Sequence, residues 1–386
     1  MADFIQAHAG HADWQIALEH CWSQVRQQLE STPVAGLSLG WCYCTDHYAA
    51  QVGAILETLG RHLPGVHWVG TLGIGVAAGP VEYIDEPAMV LLLTNLPPQS
   101  FRLFSAFQPL DARPPGFEPF TALVHAHGAT GELAAGLKRL SDQTSTGYLF
   151  GGLCSARHRA LHFADAVFGD GLSGVAFGPE VPLLSRVTQG CQPIGTQRRI
   201  TRGEGNLLVT LDGRRALDCV LQDLGLPETL SDAELNRALA TTLVGLTATG
   251  EDVSAQPGSF GTNTEVRHIV GVSRKSGVLV VAEPLRPGTK LAFCRRDAQA
   301  AQHDLLRILG EIRRDCGSSA RIAGALYISC SGRGGPHFGA PHAEFQMVSR
   351  GLGEAVPLVG FFAGGEIARS HLYGYTGVLT VFTAPL

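Results

Sequence analysis

Residues 325–368 read ALYISCSGRGGPHFGAPHAEFQMVSRGLGEAVPLVGFFAGGEIA, and the order of periodicities in this stretch sets the fold class. The apolar run ending at Cys330 has the length and composition of a buried strand, and the glycine-rich run after it cannot continue that strand. Phe345, Val348 and Leu352 then fall on one face of a helix. Pro357–Phe362 returns as a second strand, two glycines follow, and GVLTVF at 377–382 closes the stretch as another strand. Strand, helix, strand and hairpin within about 60 residues is one supersecondary unit of an α/β sheet.

Two earlier stretches follow the same order. GLSLGWCYC at Gly36–Cys44 reads as a strand, Thr45-Asp46 as a helix N-cap, and Val52, Ile55, Leu56, Leu59 and Leu63 as a helical stripe ended by Pro64-Gly65. VHWV (66–69) is the second strand, Gly70–Gly79 a glycine-rich turn and AMVLLLT (88–94) the returning strand. From Thr121, ALVHAHG is followed by Thr130 as a cap, a stripe of Leu133, Leu137 and Leu140, then GYLFGGLCSA and GVAFG. Gly70 with Gly75, Gly147 with Gly152 and Gly360 with Gly365 stand five apart, which predicts a shared turn that accepts only glycine. The expected fold is mixed α/β: repeated strand-helix-strand-hairpin units in two related halves, each a sheet bearing helices, with Val76 and Leu153 at the places equivalent to Glu366.

Around these units, residues 1–32 are expected as an N-terminal helical extension, followed by domains at 33–215 and 216–386. NLLVTL (206–211) with Asp212-Gly213 is a strand and turn, Arg214–Leu224 a helix, and Ser231 with Glu234 a capping box. Val278–Glu283 is expected to pair with Lys290–Cys294 across Pro287-Gly288, ahead of a helix at Asp297–Arg314. Pro97–Pro119 and Gly250–Asn263 read as long connectors.

The chain of 386 residues is 45% hydrophobic and carries a formal net charge of −5, with its basic residues scattered. That distribution offers no electrostatic footprint for nucleic acid or an anionic membrane. The first residues lack the basic start and apolar run of a secretory signal, and no apolar run approaches the length of a membrane span. Nine cysteines without a C-x-x-C pair fit reduced thiols, so a soluble, cytoplasmic protein is expected.

The first strand of each unit ends at Cys44, His127 and Cys330, and ligands collect at the carboxyl ends of strands in α/β sheets. Only the third unit adds Arg333 between glycines, His337 and His342 in the following loop, and Glu366 after the glycine turn. A guanidinium can hold a carboxylate or phosphate in bidentate fashion while a carboxylate receives an amine, which suits an amino-acid-like ligand. A pairing of Arg333 with Glu366 that merely fastens the loop is the competing structural reading. Cys330 with His337 or His342 as base would make a thiol-dependent hydrolase or transferase, if Arg333 lowers the thiol pKa. Cys42, Cys44, His47, His125 and His127 have the residue types of a zinc site but no ligand spacing, so no metal and no cofactor is expected. Gly73–Ala78 fits G-x-G-x-x-A, yet Gly79-Pro80 follows where a dinucleotide fold needs a helix.

Cys330-x-Gly332-Arg333-Gly334, followed by Pro357-Leu358-x-Gly360-Phe361-Phe362-x-x-Gly365-Glu366-Ile367, resembles the carboxyl-terminal domain of the FIST (F-box and intracellular signal transduction) family. Gly151-Gly152, Asp170-Gly171, Pro193-Ile194-Gly195, Gly205-Asn206 and Leu211-Asp212-Gly213 resemble its amino-terminal partner domain. The resemblance runs from about residue 33 nearly to the end and implies a sensory module that binds a small molecule, amino acids having been suggested, and works with a signalling partner. Without an F-box or an appended kinase, cyclase or methyl-accepting region, output is expected through a separate protein. Cys330, Arg333, His337, Glu366, Gly365 and Gly152 are the candidate ligand-binding residues. A protein-interaction scaffold is the remaining alternative.

Overall fold

The strand Leu39–Thr45 lies parallel to His67–Gly73, Thr121–Ala126 to Leu149–Leu153, and Ala320–Cys330 to Leu358–Ala363, in a computed structural model that describes residues 3–31, 34, 36–110, 116–247 and 264–386. A parallel pair needs a crossover, and each pair has a helical one: Val52–His62, Leu133–Asp142, and Gly335–Phe338 with Ala343–Leu352. Each pair sits inside its own six-stranded sheet, and its flanking strands pair with it antiparallel.

The hairpins join these sheets cyclically. The hairpin after the first pair, Gly75–Ala78 with Val81–Ile84, adds to the third sheet through Val359–Phe361. Glu366–Ala368 with His371–Tyr373, from the third unit, adds to the second sheet along Phe150–Gly152. His162–Ala164 with Ala166–Phe168, from the second, adds to the first along Val69–Thr71. Residues from all three sheets, among them Trp41, Tyr43, Leu123, Phe150, Leu326, Ile328 and Phe361, share one core. Helices cover outer faces: Trp14–Ser31 and Val52–His62 bury Leu18, Val25, Ile55 and Leu59 on the first sheet, and Leu133–Asp142 buries Leu137 and Leu140 on the second.

Glycine makes the parallel pairs possible, but inside the strands. A Cβ on Gly70, Gly151 or Gly360 would lie 1.8 to 1.9 Å from the carbonyl oxygen of its neighbour, Cys42, Val124 or Tyr327 respectively. Gly70–Gly79 is therefore not a turn but the continuation of one strand into the next. The second unit's counterpart of Gly70 and Gly360 is Gly151, so the expected pair Gly147 and Gly152 is out of register; Gly147 sits in a turn at φ 64°. The same registers put His162, not Leu153, at the place of Val76 and Glu366, and Thr45, not Cys44, at the place of Cys330.

Other expectations change for local reasons. The first segment contains a strand, Phe4–Gly10, antiparallel to Ala88–Thr94, as well as the helix Trp14–Ser31. Thr45 turns its hydroxyl to the Ala88 N–H (3.0 Å) and caps only a short 3-10 turn. Thr130 is not a cap either; Glu132 precedes the helix at φ 55°, and the Thr130 hydroxyl accepts from the Gly171 N–H at 3.1 Å. Pro97–Pro119 includes the strand Phe101–Phe104, with 111–115 outside the described residues, as are 248–263, where the whole of the second connector falls.

The chain leaves this compact unit after Thr188 and re-enters it at Leu305. Gln189–Asp304 is a second unit with its own core around Ile200, Leu211, Val220, Val244 and Phe293. Its strands Lys290–Arg296, Arg198–Glu204, Leu207–Leu211, Val278–Val281, Glu265–Ser273 and Leu243–Thr247 pair antiparallel in that order, and the last pairs back onto the first. Val278–Val281 therefore does not pair with Lys290–Arg296, because Leu207–Leu211 and Glu265–Ser273 flank it. The capping box at Ser231 and Glu234 is present.

Candidate functional site

Arg333 leaves the strand Ala320–Cys330 through a tight turn, its N–H donating to the Cys330 carbonyl at 2.8 Å, and its side chain points inward with 3% of the residue exposed. Its Nε donates to Glu344 Oε1 at 2.8 Å, and the guanidinium lies 5.2 Å from the Phe338 ring centre. Glu344, fully buried, also accepts from the Tyr327 hydroxyl (2.7 Å), the Ser329 hydroxyl (3.0 Å) and the Gly334 N–H (2.6 Å). The partner of Arg333 is thus Glu344 and not Glu366. A buried charge pair holds together only when its remaining lone pairs are occupied, as these are.

A second carboxylate fixes the same loop from the other side. Glu82, on the first unit's hairpin and 3% exposed, accepts from the Gly335 N–H at 2.7 Å and the Phe345 N–H at 3.0 Å. Its own N–H donates to His342 Nδ1 at 3.0 Å, which requires that nitrogen to be unprotonated. Desolvation, with the nearby Glu344 charge, pushes the Glu82 carboxyl above its ordinary range although both backbone donors oppose this. Gly334 and Gly339 at φ 80° and 92°, and His342 at φ 62°, give the loop its shape. The loop is therefore tethered from both sides by buried carboxylates.

Between that loop and the hairpin lies a cavity of about 410 Å³ lined by Glu82, Ile84, Glu86, Gly335, Pro336, Gly339, Ala340, Pro341 and His342. Its size falls within the range of small-ligand sites. The lining has two carboxylates, an imidazole and apolar surface, with no lysine or arginine.

Glu366 is fully buried beside the carboxyl end of the same strand. The Thr376 N–H (3.1 Å) and hydroxyl (2.8 Å) donate to Oε2, and the Cys330 thiol lies beside the carboxyl as a further donor. Burial pushes its pKa up to about 8, against the pull of Thr376 and the Arg333 charge. Gly152 lies directly opposite in the ladder, and the Gly365 carbonyl accepts from the Leu153 N–H. A Cβ on Gly152 would come within 2.8 Å of Ala363 and Ile328, so this glycine lets the hairpin close.

The Cys330 thiol is buried and pushed up to about 12 by desolvation and by Glu366. Arg333 opposes that rise only weakly. A thiol held protonated is the reverse of an activated nucleophile. His337, half-buried on the short helix Gly335–Phe338, packs edge-on to Phe338 at 5.9 Å between ring centres.

Cys42 and Cys44 lie side by side, Sγ to Sγ 3.6 Å, in the core beneath the helices. His125 lies in the second sheet, its Nε2 3.2 Å from the Tyr43 hydroxyl and its pKa lowered to about 3 by burial. His162, lowered to about 4, has Nδ1 2.6 Å from the Ser173 hydroxyl. Among the described residues no three His, Cys, Asp or Glu side chains are grouped to hold a metal. Among them, too, no helix is long and apolar enough to cross a membrane.

Sequence reasoning missed Glu344 and Glu82. Glu344 had a signal: it stands four and eight residues before Val348 and Leu352, on the buried stripe. Glu82 had none, since its partners lie more than 250 residues away in sequence.

Three sheets exchanging hairpins around one core define a mixed α/β protein, with a cavity of small-molecule size walled by a tethered glycine loop. The chain belongs to the FIST family: the FIST N domain matches residues 38–214 and the FIST C domain residues 216–369. FIST domains are generally sensory, ligand-binding domains of signal transduction. Similar proteins include an uncharacterized protein of Mycobacterium bovis, 29% identical over 394 residues and covering 95% of each chain. An uncharacterized protein of Mycobacterium tuberculosis is 27% identical over 389 residues, covering 96% of this chain and 97% of its own.

Proposed function

We propose that this protein is a cytoplasmic sensor of a small cationic, amine-bearing metabolite, received in the cavity beside the loop 334–342. The observation that carries this reading is the composition of that cavity's wall: Glu82, Glu86 and His342 facing a space of about 410 Å³ with no side-chain cation to compete for them. An ammonium group gains charge-assisted hydrogen bonds there, and Ile84, Pro336 and Pro341 take the apolar part of the ligand. Arg333 serves as the fastener of the loop through Glu344. Ligand occupancy changes the charge and shape of the surface beside the loop, and a separate signalling protein reads that change.

A thermal-shift screen of the full chain against amino acids, organic acids and nucleotides tests the reading. Saturable stabilisation is expected from amine-bearing compounds, weakened about fivefold in Glu86→Gln, whose exposed site leaves folding unchanged. Stabilisation by organic acids or nucleotides alone would sink the proposal.

A further inference from the structure

A larger cavity, about 570 Å³, lies elsewhere in the same unit, between the helix Leu133–Asp142 and the turn after the strand Phe101–Phe104. Phe104, Leu110 and Leu140, all buried, and the partly buried Leu133 and Leu172 form its apolar wall. Three of its lining residues, Gly131, Gly136 and Gly171, carry no side chain.

Gly136 is the informative one. It occupies the interior of a helix, where glycine is disfavoured relative to alanine. Its φ is ordinary, so no backbone strain calls for it. The atoms nearest to a Cβ there would be Leu172 Cδ1, at 3.2 Å, Leu172 Cγ, at 3.9 Å, and Arg139 Nη2, at 4.0 Å, from two residues that line the cavity. The glycine keeps the space between helix and turn open at a cost to the helix.

The charged groups on the lining are unequal. Asp170 is occupied: it accepts from the Gly171 N–H at 2.7 Å, and that bond and the Thr130 hydroxyl hold its carboxyl below the usual range. Glu132 and Arg139 face one another at 3.9 Å, both more than two-thirds exposed, and exposed pairs of this kind contribute little. Arg139 is therefore the lining cation that a ligand anion can capture, with five apolar side chains below it.

We propose that this cavity is a second small-molecule site, independent of the loop cavity, which takes an amphipathic carboxylate: an unbranched apolar body against Phe104, Leu110, Leu133, Leu140 and Leu172, and a carboxylate on Arg139. Octanoate is the probe, titrated calorimetrically into the full chain at pH 7 beside octylamine and 1-octanol. Saturable octanoate binding is expected, at least tenfold tighter than octylamine. Arg139→Gln should weaken octanoate at least fivefold and leave 1-octanol unchanged. Gly136→Leu, which fills the cavity and pushes Leu172 Cδ1 aside from 3.2 Å, should abolish binding of both, with its circular dichroism spectrum showing that the fold is kept. Absence of saturable octanoate binding, or equal binding by Gly136→Leu and the wild type, overturns the proposal. Neither variant touches Glu82, Glu86 or His342, so a positive thermal-shift screen for amines stands or falls separately.

Discussion

Removing Arg333 leaves Glu344 as a buried carboxylate without its counter-charge, so Arg333→Ala should destabilise the protein by roughly 3–5 kcal/mol in chemical denaturation. The double variant Arg333→Met with Glu344→Gln should recover part of that loss, because both charges leave while the amide oxygen still accepts from the buried donors around it. Glu366 behaves differently. Its folded pKa of about 8 lies above its ordinary 4.5. Between those values the folded chain keeps a proton that the unfolded chain has released. The stability this contributes is therefore full below pH 4.5 and is lost as pH rises through 8, on the order of 1 kcal/mol per pH unit. Stability curves of Glu366→Gln and wild type, measured from pH 5 to 8.5, should diverge as pH rises, with the variant the more stable at the alkaline end. A pH-independent gap would refute the assignment of Glu366 as a buried neutral acid. At this scale the sequence was only partly legible: Cys330, Arg333 and Glu366 stood out against the other units, but the direction in which Arg333 points depends on Glu344 and Tyr327 around it.

Among elements, the parallel strand pairs were readable because alternation, caps and glycines mark them locally. Their partners in the sheets were not, because a hairpin that crosses to another unit's sheet leaves no local trace in the chain. His162 shows this. No reading of the second unit alone places it opposite Thr71 of the first. The glycines at the parallel pairs give an element-scale test. Gly70→Ala, Gly151→Ala and Gly360→Ala each force a Cβ into a backbone carbonyl and should cost about 3 kcal/mol or more. Gly53→Ala and Gly60→Ala, on the helix Val52–His62 with nothing within 4 Å, should instead stabilise by up to about 1 kcal/mol. Equal effects in the two groups, read from denaturation midpoints, would mean that the strand glycines are not there for close approach.

For the whole molecule, composition set the class and the FIST motifs set the family, but neither located a cavity, since a cavity is a property of three-dimensional packing. The family segments meet at residue 215, whereas the compact units divide after residues 188 and 304. Residues of both family segments, Glu82 with Gly335 and Phe345, wall and tether the loop cavity within the first unit. A ligand bound there as proposed would contact groups that only the folded chain brings together, so its binding would stabilise the fold. The most direct measurement is calorimetric titration of the full chain, and of Ala340→Phe, with the amine-bearing metabolite that stabilises it best. Ala340 is exposed on the cavity wall, so the phenyl ring fills the space without entering the core. Saturable one-site binding by the wild type and none by Ala340→Phe is the predicted result. Undiminished binding by Ala340→Phe, with its fold intact, would contradict the account.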